Sequence, residues 1–171
     1  MESSLFPTAA LAAYLQSYTA LLPPGFLKRI TAQSLQSLAA SPVRMPMPDI
    51  ESVIHLVPYL HPDQRTAPVR KLKDVLAAVV VLDPKHWDSY NVKPLTFVHS
   101  PQSPFYPEMK QAISANPDYI ISIQKSDGSW GLTWSWADRD PAAWKVAEKE
   151  WLGVVMLENL RTLQAFHRIA P

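Results

Sequence analysis

Seventeen prolines against four glycines set the terms on which this chain can fold. Proline locks φ and removes a backbone donor. It therefore belongs at helix ends and in connectors, and is excluded from the middle of a sheet. Here the prolines fall between segments whose apolar residues recur every three or four positions, so they read as punctuation between helices. Collagen or low-complexity sequence would need glycine as well. The expectation is an all-α fold, an array of α/α-hairpins.

The periodicity locates the helices. Leu11, Leu15, Tyr18 and Leu22 follow Pro7-Thr8 as one stripe, and Pro23-Pro24-Gly25 ends it. Leu27, Ile30, Leu35 and Leu38 mark a second helix, and the connector 41–48 carries three prolines. Asp49 opens a third through Ile50, Val53, Ile54 and Val57, which Pro58 must kink or shorten. His61-Pro62-Asp63 reads as a turn. A fourth helix is expected from about Pro68 through Leu72, Val75, Leu76 and Val79. The two halves of 1–82 are alike: apolar helix, proline-marked turn, second helix with a basic first turn. Their offset of about 40 residues is that of α-hairpin repeats.

Residues 83–107 are proline-rich, show little helical period and are expected to form an extended surface arm. The rest, 108–169, reads as a further hairpin. Its first helix is interrupted at Asn116-Pro117, as a kink or as a fresh start capped by Asn116. Its second helix starts on Asp140 as cap with Pro141 in the first position. Trp144, Ala147, Trp151 and Val155 form one stripe of that helix, and Leu152, Met156, Leu160 and Leu163 a neighbouring one. So wide an apolar face implies burial on more than one side.

A length of 171 residues suits a single domain. The hydrophobic share of 47% and charged share of 18% argue for a packed core and against disorder. A net charge of +1 gives no electrostatic ground for binding nucleic acid. With no cysteine there are no disulfides, thiol nucleophiles or thiolate metal sites. No apolar run is long enough to span a bilayer. No basic region precedes an apolar stretch at the N-terminus, so the cytoplasm is the expected compartment.

Between the last two helices lies Tyr119-Ile-Ile-Ser-Ile-Gln124-Lys-Ser-Asp-Gly128-Ser-Trp130. Gln124 closes a helix and its amide can bind free backbone groups there. Gly128 permits a positive φ. Trp130 can stack on the Gln124 amide and cover the turn. This segment resembles the Gln-to-Trp repeat of the α/α-toroid proteins, which include triterpene cyclases and protein prenyltransferase β-subunits. The surroundings resemble the C-terminal half of prenyltransferase-like proteins of that superfamily: His86-Trp87-Asp88-Ser89-Tyr90, Lys93-Pro94-Leu95, Ser100-Pro101-Gln102-Ser103-Pro104-Phe105, Trp134-Ser135-Trp136, Trp151-Leu152-Gly153 and Phe166-His167-Arg168-Ile169. The resemblance covers Asp83 to Ile169 and implies half of a toroid. A half ring exposes apolar helical edges, so self-association is expected.

The departures from that family bear on chemistry. The Asp-x-Asp-Asp acid of class II cyclases and the Asp-Asp-x-x-Asp magnesium motif of class I terpene synthases are both missing. So is the cysteine of the prenyltransferase zinc site. No His, Asp or Glu pair has metal-ligand spacing, so no metal and no cofactor is expected. Ser100 and Ser103 lack a glycine elbow.

Three acid–base candidates remain. His55 sits on an apolar helix, where it is either a satisfied core residue or an imidazole titrating in an apolar pocket. Asp127 is either the motif's acid or a turn cap. Asp138, in Asp138-Arg139-Asp140, either positions a proton or belongs to a loop before a capped helix. Trp130, Trp134 and Trp136, with Tyr119 and Trp87, are the candidates for lining a substrate. Alternation puts Trp134 and Trp136 on one side of an extended segment. Their π-faces either pack the loop or stabilise a developing carbocation. The resulting expectation is a metal-independent enzyme that cyclises or isomerises an apolar terpenoid- or polyketide-like molecule. The alternative is a non-catalytic module that binds an apolar ligand or a protein partner.

Overall fold

The computed structural model describes residues 5–170 and is all-α. Among these residues there is no strand, only an isolated bridge between Val80 and Val92. Among the described residues no helix is long and apolar enough to cross a membrane. The chain divides into two compact units, Met1–Val79 and Val80–Pro171. The expectation was one domain that changes character after residue 82.

The first unit holds α1 (Thr8–Tyr14), α2 (Phe26–Ala40), α3 (Met47–Leu56) and α4 (Pro62–Val79). Helix α1 packs chiefly on α3, while α2 packs on α1 and, to a lesser extent, on α4. The inward face of α1 is Ala9, Ala12 and Ala13 rather than the Leu11–Leu15–Tyr18 stripe. Helix α1 stops at Tyr14, and the chain tightens into a 3-10 helix over Leu15–Leu21. Leu11 falls outside the alanine face of α1, the backbone kinks at Tyr18, and both side chains stay exposed.

Gly25, at φ +72, turns the chain into α2. The Lys71 ammonium donates to the carbonyl of Ser41, the residue that ends α2 (2.6 Å). Helix α3 buries Ile50, Val53 and Leu56 and gives way to a 3-10 turn at Val57–Tyr59, where Pro58 withholds its donor. Arg65 secures the orphaned carbonyls beyond it, donating to Leu60 O and Pro58 O at 2.7 Å each. Helix α4 starts at Pro62, six residues before the expected Pro68, which lies buried within it. Pro62 supplies the N-terminal φ, and the turn expected at 61–63 is the first turn of the helix.

In the second unit the segment 83–107 is part of the core, not a surface arm. Trp87, Leu95, Phe97, Val98 and Phe105 are all buried. Its prolines set two short 3-10 turns, Pro84–His86 and Pro94–Thr96. Proline needs no donor satisfied, so such a segment can be buried by its side chains with few backbone partners. The exceptions are supplied individually. The Trp87 indole N–H donates to Val81 O (2.7 Å). The buried Asn116 side chain accepts from the Leu95 N–H (3.0 Å).

Helix α5 (Tyr106–Ser122) runs unbroken through Asn116-Pro117, so Asn116 fastens the arm instead of capping a new helix. Helix α6 (Pro141–Ala165) starts as expected, with Asp140 Oδ1 accepting from the Ala143 N–H (2.9 Å). Its burial is much narrower than expected. Only Trp144, Thr162 and Leu163 are buried, and the contact of α6 with α5 is slight.

The end of α6 is a Schellman closure. The Arg168 N–H bonds Leu163 O at 2.8 Å and the His167 N–H bonds Gln164 O at 3.0 Å. His167 takes the left-handed conformation, φ +55, that the motif requires, and glycine usually fills that position. His167→Gly is expected to raise stability by about 1 kcal/mol, since the left-handed cost of a side chain outweighs glycine's added unfolded-state entropy. Chemical denaturation checks it by a higher midpoint at constant slope.

Candidate functional site

The Gln-to-Trp segment is a tight junction built on the end of α5. Lys125 N–H donates to Ser129 O and Gly128 N–H to Lys125 O, both at 2.9 Å, while Gly128 adopts φ +83. Gln124 lies two residues beyond the end of α5, and its Nε2 donates to Gly128 O at 2.9 Å, tying the two arms of the turn. Trp130 is almost fully buried and donates from Nε1 to Ile120 O in the last turn of α5 (2.7 Å). The bond satisfies a carbonyl near a helix end that has no intrahelical partner.

Asp127 is spent on this turn. One carboxylate oxygen accepts from both the hydroxyl (2.7 Å) and the N–H (2.9 Å) of Ser129. Those two donors hold its carboxyl below the usual value, the hydroxyl contributing most. The depressed group favours the native turn at pH above the ordinary aspartate range. That contribution is lost as pH falls through the lower native value. The Ser129 amide resonance is accordingly expected to titrate with a midpoint below that of an unperturbed aspartate, and to lose the response in Asp127→Asn. A midpoint at the ordinary value would contradict the double acceptor.

His55 is exposed on α3, not enclosed in an apolar pocket, because α3 turns Ile50, Val53 and Leu56 inward and His55 falls outside that stripe. Asp138 is exposed in the loop before α6. His55 belongs to the first unit, and Asp127 and Asp138 to the second.

The aromatic candidates separate into two groups. Trp134 meets Trp144 (centroids 5.3 Å apart) and Trp151 (5.2 Å, interplanar 81°). Trp136 meets Trp144 at 5.0 Å and 67°. Trp134 and Trp136 thus face one way, as alternation requires, and converge on the start of α6. The Trp134–Trp151 and Trp136–Trp144 contacts are edge to face, setting the positive rim of one ring on the negative face of another, while Trp134 and Trp144 are tilted. Trp144 is buried, Trp134 and Trp136 are half-buried, and Trp151 is 44% exposed. The cluster therefore opens to solvent through Trp151.

The second group surrounds Tyr119. Trp87 lies against it edge-on (5.4 Å, 69°), and its hydroxyl donates to Trp87 O (2.8 Å) and lies 3.3 Å from Asp88 Oδ1. Burial first, and then the Asp88 charge and hydrogen bond, push the Tyr119 hydroxyl's pKa up. Lys93 sits over the Tyr119 ring, 6.0 Å from its centroid. Burial lowers the Lys93 pKa, partly offset by Asp88. Trp87 and Trp130 have almost no accessible surface, so both are framework rather than wall. Lys93 and Asp88 were not among the expected site residues. Their only signal was nearness in sequence to Trp87, since Tyr119 lies 31 residues beyond Asp88.

Comparison with family models, curated proteins and solved structures finds no match to this chain. The class that the fold itself defines is a helical-hairpin protein carrying a surface tryptophan cluster. The toroid-like reading rests on the residues quoted for it.

Proposed function

We propose that this protein is a binding module that holds a small apolar molecule against the open side of the Trp134–Trp136–Trp144–Trp151 cluster. One observation carries the reading: four indoles in mutual contact, two of the three pairs edge to face, with Trp151 left 44% exposed at the margin. Packing alone does not call for a half-open tryptophan, and aromatic surface in water is a strong source of binding energy. Cyclisation or isomerisation on the same surface is the more demanding reading. Its support is Asp138, which follows Trp136 by two residues and could meet a bound polyene. His55 and Asp127 add little to it, because His55 lies in the other unit and the Asp127 carboxylate is occupied by Ser129.

The test is a titration with farnesol and with an anilinonaphthalene dye, following tryptophan emission. Saturable binding is expected, weakened roughly tenfold in Trp151→Ala by loss of one aromatic face, with thermal stability nearly unchanged. Failure of both probes to bind would overturn the module. Conversion of the polyene, lost in Asp138→Asn while binding persists, would favour the enzyme.

A further inference from the structure

The far side of α6 carries an apolar stripe that its own unit leaves bare. Buried Trp144 and Thr162 lie on one face. Val146, two residues and just over half a turn from Trp144, begins the opposite one. Val146, Gly153, Leu157 and Leu160 follow at i, i+7, i+11 and i+14, the spacing of a helix-packing seam. Val146 is 62% and Leu157 49% exposed, and Val154 is exposed beside them.

Gly153 stands in the middle of this stripe. Mid-helix glycine costs about 1 kcal/mol against alanine. A Cβ placed there would meet nothing within 4 Å, so no contact inside the chain requires the glycine. A neighbouring helix laid across the stripe would require it, because a missing side chain lets backbones approach.

The charges identify that neighbour. Glu150 and Arg161, both exposed, are eleven residues or three turns apart and so share one flank of the stripe. In an antiparallel pair of identical helices, like flanks meet. With the twofold axis midway between residues 155 and 156, Glu150 of each copy faces Arg161 of the other. Val154 then meets Leu157, and Leu157 falls beside the gap at Gly153. A sequence complementary to its own reversal is what an isologous contact needs.

We propose that the outer face of α6 is a homodimer interface, formed by two antiparallel copies of α6 with Gly153 of each close to the twofold axis, and flanked by two Glu150–Arg161 ion pairs. It is separate from the tryptophan cluster, so either proposal can fail without the other.

Sedimentation velocity on the full chain, from about 1 to about 300 µM, covers the range in which a weak, reversible dimer exchanges. A shift from one-chain to two-chain mass is expected. Leu157→Lys should abolish it. Glu150→Arg and Arg161→Glu should each weaken association by at least about tenfold. An equimolar mixture of those two variants should associate again, because every facing pair is then opposite in charge. Far-UV circular dichroism of each variant confirms that α6 is intact. One-chain mass throughout the range overturns the proposal. Dimerisation that ignores Leu157→Lys, or that the charge mixture does not restore, also overturns it.

Discussion

Trp130→Ala is expected to be the most damaging single change in the second unit, lowering stability by about 4 kcal/mol, as deletion of a core indole does. For a unit of this size that is a fall in Tm on the order of 20 °C. Two losses combine. The indole is almost wholly buried and leaves a cavity too large for partial collapse to close. Its Nε1–H also leaves Ile120 O without the partner that the helix cannot supply. Trp130→Phe separates them, keeping most of the apolar volume and discarding the donor, so a drop of only about 1–2 kcal/mol is expected. Equilibrium denaturation of the three chains checks the order. A Phe variant as unstable as the Ala variant would mean that the hydrogen bond, not the volume, holds the junction.

Asn116→Ala is the second large effect, with an expected loss of about 2–3 kcal/mol. The Leu95 N–H is buried, and the Asn116 carbonyl oxygen is its partner. An amide left unpaired in a dry site costs its full desolvation, which exceeds the worth of an average hydrogen bond. Alanine has the better helix propensity, and a surface asparagine in α5 would gain from the change. Here the sign reverses because the side chain serves another segment. Hydrogen exchange gives the sharper readout. The Leu95 amide should lose its protection in Asn116→Ala, while amides in the middle of α5 keep theirs. Equal loss across both would show global destabilisation and no specific tether.

What the sequence made legible were features whose cause is local. Asp140-Pro141 opens α6 because a carboxylate and a fixed φ act within one turn. Gly128 marks the motif turn for the same kind of reason. The all-α fold followed from the proline pattern. What stayed hidden depends on distant partners. Proline density made 83–107 read as surface, yet Trp87, Phe97 and Phe105 are interior, and only the position of α5 makes them so. The Leu11–Tyr18 stripe failed because α1 turns its alanines inward and the backbone beyond it kinks at Tyr18. The apolar width of α6 was read as intrachain burial, although only one side of that helix is covered.

Of the candidate site, the pairing of Trp134 with Trp136 was visible as alternation, and their meeting with Trp144 carries it into space. The roles of the acids were less visible. Asp127 became a turn acceptor because Ser129 lies two residues on, within its reach. No periodicity could bring Lys93 over Tyr119, since that contact exists only once the proline segment is folded inward.

That inward segment has a spectroscopic consequence. Residues 83–107 contain only two single-turn helices, so their ordering adds little to the helical far-ultraviolet signal. Their order is carried by rings: Trp87 against Tyr119, with Phe97 and Phe105 in the interior. Near-ultraviolet dichroism responds to such fixed aromatic surroundings even when helix content is unchanged. The two bands therefore watch different parts of the same unit. Superimposable melting curves would mean that the proline segment and the helices form one cooperative body. An earlier near-ultraviolet transition would reveal an interior that loosens while its helical frame still stands.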